Sequence, residues 1–297
     1  MKSKILKGKS AKLLLYPLLI SLTAVSVTGY SFGAGTNTQI SSKEPISFIS
    51  SSNKSISIDE TLELIKKVPI VDSNLKKLVK NNSLASLKKL GYYKENFKDK
   101  NLNSRSALIH FQSNHNMNPT GKWDKKTTDA VLKKLIAPDL SPSDKVSDIP
   151  SEGLWLTINK SKNLLTLYKG GKLVKKYPVA VGNPSTLTPS GKFTIVNKIV
   201  NPAWGGGGYA KPVNGGSPYN PLGYRWMGLS LKGGSSYGIH GTTDPYSIGT
   251  YASHGCIRMF NFDVESLFPQ IPMHTKVYIG TAEELAKWGI LQEEVTV

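Results

Sequence analysis

The chain has 297 residues, a formal net charge of +18 and a single cysteine, Cys256. One cysteine excludes an internal disulfide, and a spare thiol in an oxidising compartment is a liability unless it is used. The positive charge favours polyanionic partners, either nucleic acid or the anionic polymers of a cell wall or membrane surface.

Residues 1–35 are typical of a secretory signal peptide. Five lysines precede Leu13, an apolar run extends to Val27, and small residues fill the stretch from Gly29 to Gly35. A retained membrane anchor is the alternative, although Pro17 and a run slightly short of a bilayer span favour cleavage. We therefore expect an extracytoplasmic, secreted protein whose basic surface meets anionic cell-wall polymers and not nucleic acid.

The next segments are predicted to be a spacer and a helical domain. Residues 36–59 are rich in serine, threonine and asparagine, which is typical of a flexible spacer. Apolar residues then recur at helical spacing over 60–136, with a stop at Gly91, a second helix capped by Ser104 and a third that starts near Asp124. His110 and His115 are expected on the surface of these helices and not as ligands.

The remainder of the chain is predicted to be mainly β. Residues 137–152 contain three prolines and are predicted to be an extended linker. Residues 153–280 have the period of strands, with one internal helix, Asp263 to Phe268, capped by Asn261. Residues 281–297 form a helical tail that starts at Ala282. The predicted strands are Leu154–Ile158, Leu164–Tyr168, Leu173–Tyr177, Val179–Val181, Phe193–Val196 and Lys276–Ile279.

A glycine-rich stretch, Trp204 to Tyr209, lies in this β domain. No strand-to-helix context surrounds it, so it is a poor signature of a nucleotide loop. Long loops in compact domains are often functional lids. We predict a lid here because the stretch precedes the histidine and cysteine region.

That region, His240 to Arg258, holds the candidate chemistry. A thiol has an ordinary pKa of about 8.5, so it needs a base or a cationic neighbour to act as a nucleophile. His254 is tied to the same short loop as Cys256, whereas His240 arrives from another segment and can point at the sulfur. A zinc site formed by the same two histidines and the cysteine is an alternative, but no further cysteine pair or carboxylate stands at ligand spacing.

Two stretches of the chain resemble known families. Residues 153–279 resemble the catalytic domain of the L,D-transpeptidases. The residues that match its signature are His240-Gly241, the run Ser253-His254-Gly255-Cys256-Ile257-Arg258-Met259, then Asn261 and Asp263, and upstream Thr188-Pro189-Ser190-Gly191-Lys192-Phe193. The helical region resembles a three-helix peptidoglycan-binding module in Leu87 to Tyr92, Phe111-Gln112, Gly121 and Thr128 to Val131. It departs from that pattern between Lys94 and Asn103. The fold class implied is an α+β multidomain protein, with a small helical domain followed by a mainly β catalytic domain.

The resemblance implies roles for individual residues. Cys256 would be the nucleophile, His240 the general base and acid, and the Gly241 carbonyl would orient His240. His254 and Gly255 would shape the oxyanion region, and Arg258 would stabilise the site or a substrate carboxylate. Weaker substrate-binding candidates are Tyr224 and Trp226 on the lid side, which as aromatics could equally be core residues, and Ser253, which is expected to form hydrogen bonds within its loop and not to be a second nucleophile.

The implied reaction is 3→3 cross-linking of bacterial peptidoglycan stems through a Cys thioester. It needs no metal or cofactor and uses a tetrapeptide donor and an amine acceptor. An L,D-carboxypeptidase that uses water as the acceptor, and a non-catalytic wall-binding protein, are the alternatives.

Overall fold

The computed structural model describes residues 73–139 and 144–294. The predicted signal peptide, the predicted spacer and the first part of the helical region lie outside the described residues. None of the described helices is both long and apolar enough to cross a bilayer.

The described N-terminal part is helical, and its caps explain where the helices begin. The Asp99 carboxylate accepts the N–H of Asn101 at 2.8 Å and so caps the third helix. The prediction that Ser104 is the cap was wrong, because Ser104 lies inside that helix and donates its hydroxyl to the Lys100 carbonyl. Asp124 caps the fourth helix by accepting the N–H of Thr127 at 2.7 Å. The helices are α1 (Ser73–Asn81), α2 (Ser83–Lys89), α3 (Lys100–Asn114) and α4 (Lys125–Ile136).

The rest is mainly β, as predicted. The strands are β1 (Asp144–Val146), β2 (Leu154–Asn159), β3 (Leu164–Lys169), β4 (Lys172–Pro178), β5 (Val181–Gly182), β6 (Gly191–Val200), β7 (Arg225–Leu229), β8 (Gly238–His240), β9 (Tyr251–Ser253), β10 (Ile257–Arg258), β11 (Lys276–Gly280) and β12 (Ile290–Gln292). Eight of them form one mixed sheet in the order β10-β8-β7-β6-β11-β2-β3-β4, with β10–β8 and β11–β2 parallel and the other neighbours antiparallel. Two further helices are α5 (Asn261–Leu267) and α6 (Ala282–Lys287).

The sheet curls so that its two edges meet. Ala180, just after the edge strand β4, exchanges two backbone hydrogen bonds of 2.9 Å with Arg258 of the opposite edge strand β10. Apolar side chains from the concave face, joined by Val264 and Leu267 of α5, fill the enclosed core. Burial of these side chains is the main favourable term in the folding of this domain. The closure also fixes β10, which begins directly after Cys256.

The predicted linker and tail are paired with each other. Within the segment 137–152, β1 forms an antiparallel ladder with β12 in the C-terminal tail. The Asp144 carboxylate of β1 lies 2.5 Å from the Lys176 ammonium on β4, and both side chains are buried. This part of the segment is therefore held against the sheet and is not a free extended linker.

The helical module packs on the β domain. Ile109 and Phe97 of the module form an apolar cluster with Ile248 and Phe260. Gly249 touches the module so closely that a Cβ there would lie 2.2 Å from the Pro119 carbonyl oxygen. The described residues, 73–139 and 144–294, accordingly belong to one compact unit.

The two histidines expected on the module surface are both largely buried. His110 bonds the Asp263 carboxylate of the β domain through Nε2, at 2.8 Å. His115 is buried and stacks on Phe111, with ring centroids 4.1 Å apart. The expectation failed because tertiary contacts cover both rings: His110 meets the β domain, and His115 packs on Phe111 and Tyr92 within the module.

Candidate active site

The upstream histidine lies at the end of a strand, and the neighbouring strand begins directly after the cysteine. β10 runs parallel to β8, with Ile257 opposite Ile239 and Arg258 opposite His240. Ile239 and Ile257 are fully buried in the core. Because side chains alternate along a strand, His240 and Arg258 face the other side of the sheet. The register thus pairs the predicted base with the predicted cationic neighbour, and Cys256 directly precedes β10.

The Ser253 side chain holds the short loop 253–256 together through two hydrogen bonds to its backbone. The Ser253 hydroxyl donates to the Cys256 carbonyl at 2.5 Å and accepts the Gly255 N–H at 3.1 Å. Gly255 has φ +110°, and a Cβ there would lie 2.8 Å from Cε1 of Tyr237, so the position requires glycine. The half-buried thiol is thereby held 3.5 Å from the Ser236 carbonyl oxygen.

These contacts bear on two of the predicted roles. Ser253 is buried, and its hydroxyl is used in hydrogen bonds within the loop. The Gly255 amide is occupied by Ser253, so Gly255 contributes its conformation and not a free N–H.

His240 is held by a carbonyl and an indole. Its Nδ1 lies 2.6 Å from the Gly241 carbonyl oxygen; since a carbonyl only accepts, Nδ1 carries the hydrogen. The ring stacks on Trp226 across β7 and β8, with centroids 5.7 Å apart and planes inclined by 21°. Trp226 is buried and supports the histidine, which favours the alternative that this aromatic belongs to the core. The Leu222 backbone makes a further hydrogen bond with the ring. Because the Gly241 carbonyl engages Nδ1, Nε2 is the nitrogen that can exchange a proton.

Burial favours the neutral forms of both reacting groups. It lowers the pKa of His240 to about 4, against the opposing effect of the Gly241 hydrogen bond, and the positive charge of Arg258 lowers it further. Burial also raises the pKa of the Cys256 thiol, although Arg258 and a backbone hydrogen bond from Gly238 oppose this. The resting pair near neutral pH is therefore a thiol beside an uncharged imidazole.

The predicted lid reaches residues 253–256, the segment before β10 that we name the catalytic loop after its predicted role. Trp204 and Val213 exchange backbone hydrogen bonds of 2.9 and 2.8 Å, which close residues 204–213 into a loop that we name the glycine loop. Tyr209 of this loop lies against His254, with ring centroids 5.3 Å apart. His254 is exposed on the solvent side of the catalytic loop. The structure thus places His254 as the contact between the catalytic loop and the glycine loop.

Tyr224 lies apart from this face. It is half-buried and, with Phe97 of the module and Thr242, lines a cavity of about 220 Å³ between the two domains. Tyr224 therefore remains a candidate contact only for a substrate that enters that cavity.

Asn261 does not have the helix-capping role expected from the sequence. Asn261 was expected to cap α5, but the cap residue is Phe260 and no side-chain cap bond forms. The Asn261 carboxamide instead bonds the backbone N–H and carbonyl of Thr242, at 2.9 and 3.0 Å. No local pattern distinguishes these roles, because the partner lies 19 positions upstream. Among the described residues, no group of three histidine, cysteine or acidic side chains is arranged to hold a metal ion.

Comparisons with family models agree with this arrangement. Residues 153–279 match the YkuD model, described as the L,D-transpeptidase catalytic domain. Residues 85–131 match a model described as "Putative peptidoglycan binding domain".

Individual proteins extend these matches. The chain is 41% identical over 143 residues to "Putative L,D-transpeptidase YqjB" of Bacillus subtilis strain 168, a match that covers 47% of this chain and 79% of that protein. It is 40% identical over 125 residues to "Putative L,D-transpeptidase YkuD" of the same organism, covering 42% of this chain and 65% of that protein. The L,D-transpeptidase structure from Mycobacterium smegmatis overlaps 43% of this chain and 58% of its own, with 15% identity and a TM-score of 0.37. The chain thus spans less than two thirds of these last two proteins.

Proposed function

Because the chain belongs to the L,D-transpeptidase family, we propose that it forms 3→3 cross-links between peptidoglycan stems through a thioester on Cys256. One observation carries the proposal: Cys256 directly precedes β10, whose Arg258 lies opposite His240 of β8, and the Arg258 charge acts on both the thiol and the imidazole. His240 is held with Nδ1 on a carbonyl and Nε2 available, which is the arrangement that a general base and acid needs.

In the first half-reaction, the Cys256 sulfur attacks the carbonyl that joins the third stem residue to the terminal D-Ala of a tetrapeptide. The thiol proton passes to Nε2 of His240. His240 then returns this proton to the amine of D-Ala as the C–N bond breaks. The stem is left as a thioester on Cys256, and D-Ala leaves.

In the second half-reaction, an amine of a neighbouring stem attacks the thioester. His240 takes a proton from the amine, the C–S bond breaks, and the thiolate recovers a proton from the imidazolium. The free thiol and the neutral base are restored, and one amide bond has replaced another. Neither half-reaction requires an energy source, a metal or a cofactor.

The pKa values bear on the timing of these steps. Since burial disfavours both the thiolate and the imidazolium, proton transfer to His240 accompanies the attack and does not precede it. The negative charge that develops on the substrate oxygen needs donors in the same place. The Gly255 amide is occupied by Ser253, so we assign the Cys256 amide as a donor, with the Arg258 charge on the same face.

The family acts on the cell wall, and the helical module matches a peptidoglycan-binding domain model. Both matches therefore support peptidoglycan as the partner. We further propose that residues 1–35 direct the protein across the cytoplasmic membrane, as a cleaved signal or as an anchor. The net charge of +18 supports attraction to the anionic polymers of the wall.

The experiment incubates the purified protein with a tetrapeptide muropeptide and follows the products by mass spectrometry, with and without an acceptor amine. We expect a cross-linked dimer with the acceptor, and none from Cys256→Ala. Release of D-Ala without any dimer would assign L,D-carboxypeptidase activity instead. Binding to peptidoglycan without D-Ala release or dimer would indicate a non-catalytic wall-binding protein.

A further inference from the structure

The carboxamide of Asn261 makes a two-point contact with the backbone beside the proposed base. Asn261 is the first residue of α5. Its Oδ1 accepts the N–H of Thr242 at 2.9 Å, and its Nδ2 donates to the carbonyl of the same residue at 3.0 Å. Both polar atoms of the side chain are thus spent on one residue, two positions after His240.

The surroundings leave room for this carboxamide and nothing more. A Cβ on Gly241 would lie 2.0 Å from Oδ1 of Asn261, and one on Gly223 would lie 2.2 Å from the same atom. These separations are far inside van der Waals contact, so both positions must be glycine while Asn261 occupies its place. Two backbone segments therefore close on the side chain, which fixes its position.

The contact reaches His240 through a single peptide unit. The amide N–H of Thr242 and the carbonyl of Gly241 belong to the same planar group. That carbonyl is the acceptor for Nδ1–H of His240, at 2.6 Å. A hydrogen bond at one end of a peptide unit orients and polarises the other end. The connected order is Asn261 Oδ1, the Thr242 N–H, the Gly241 carbonyl and His240 Nδ1.

We propose that Asn261 is a positioning residue that sets the tautomer and the orientation of His240 by clamping the peptide unit between Gly241 and Thr242. It touches neither the substrate nor the sulfur. With the clamp in place, the Gly241 carbonyl holds the hydrogen on Nδ1 and keeps Nε2 free. Without the clamp, the peptide unit can tilt, and the imidazole can place its hydrogen on Nε2, where it blocks proton transfer from the thiol. The tautomer assignment stands on this geometry, and its catalytic consequence rests on the proposed function.

The first test observes the tautomer and needs no substrate. The full chain is labelled with ¹⁵N-histidine, and the signal of His240, one of five histidines, is assigned with the variant His240→Gln. We expect the Nδ1–H tautomer in the wild type and in Asn261→Asp, which keeps the acceptor for the Thr242 N–H. Asn261→Leu, of similar shape but without that acceptor, should show a mixture of tautomers. Ser266→Ala, an exposed position on the same helix, is the matched control.

The second test measures alkylation of Cys256 by iodoacetamide near neutral pH, with the thermal unfolding temperature measured for each variant. Asn261→Leu should slow alkylation about tenfold, a fraction of the 10²–10⁴-fold that a general base typically contributes. Asn261→Asp should recover most of the rate. In a His240→Gln background, Asn261→Leu should cause no further loss, because the effect passes through His240.

Two results would overturn the proposal. One is an unchanged Nδ1–H tautomer in a folded Asn261→Leu protein. The other is an equal loss of alkylation rate from Asn261→Leu with and without His240. If the tautomer follows Asn261 as expected but no cross-linked product forms, the proposed function fails and the positioning role stands.

Discussion

The ion pair between the helical module and the β domain should control how firmly the two dock. His110 Nδ1 lies 2.7 Å from the Ser106 carbonyl oxygen, and Nε2 lies 2.8 Å from the Asp263 carboxylate. Both partners are acceptors, so both ring nitrogens carry a hydrogen and His110 is an imidazolium. Burial alone would lower the pKa of His110, and the Lys175 charge adds to this. The Asp263 charge and the hydrogen bonds outweigh both effects, and the pKa is raised.

The variant His110→Phe tests this pair. It leaves the Asp263 carboxylate, whose side chain is 5% exposed, without its cationic partner. Breaking a buried pair in this way typically costs about 3 kcal/mol or more. For a folded unit of this size, that loss lowers the unfolding temperature by roughly 6 to 12 °C. The double variant His110→Phe with Asp263→Leu removes both charges beside the aromatic rings of Phe97, Phe260 and Phe262, and should recover most of the loss.

The dependence on pH has a defined sign. A histidine whose pKa is raised by folding contributes stability that is complete below its unfolded pKa of about 6.5 and is lost as the pH rises through the folded pKa. The difference in unfolding temperature between wild type and His110→Phe should therefore be larger at about pH 6 than at about pH 9. His254→Ala, at an exposed histidine, is the control and should change little. Equal differences at the two pH values, or a double variant no more stable than His110→Phe, would refute the reasoning.

Three further predictions concern the catalytic loop and the domain contact. Gly255→Ala places a methyl group 2.8 Å from Cε1 of Tyr237, at a backbone φ of +110° that disfavours alanine. The loop must then shift, so iodoacetamide should alkylate Cys256 more slowly. An unchanged rate would contradict the loop geometry. Because burial raises the thiol pKa, the alkylation rate of the wild type should still be rising between about pH 7 and about pH 9, whereas a plateau by neutral pH would indicate a resting thiolate. Gly249→Ala brings a Cβ 2.2 Å from the Pro119 carbonyl oxygen, so proteolysis within 137–152 should accelerate while alkylation is unchanged; an unaltered cleavage rate would count against the docked arrangement.

Where a pattern is local, the structure follows the sequence closely. β2 and β3 were predicted almost to the residue, because each is a run of branched and aromatic side chains bounded by turn residues. Asp124 was correctly placed at the start of α4, because a capping carboxylate leaves a signal next to the helix. The strands β9 and β10 were not predicted, because three and two residues are too few to show a period.

Contacts between distant segments could not be predicted in the same way. His110 and Asp263 are separated by 153 positions, and no sequence pattern near either residue indicates that the two are in contact. No local sequence pattern indicates the contact of Asn261 with Thr242 either. The position of Asn261 at the start of a helix favoured a capping role, which was wrong. The motif around Cys256 pointed to the nucleophile and base without showing that Trp226 supports the imidazole or that Ser253 closes the loop.

The central claim is that Cys256 carries the stem as a thioester, and intact-protein mass spectrometry tests it most directly. The protein is mixed with a tetrapeptide stem without an acceptor amine, quenched in acid and digested to locate any adduct. We predict an added mass equal to the tripeptide acyl group, located on Cys256, with one D-Ala released for each adduct. Formation of cross-linked dimer by Cys256→Ala, or an adduct on another residue, would contradict the account.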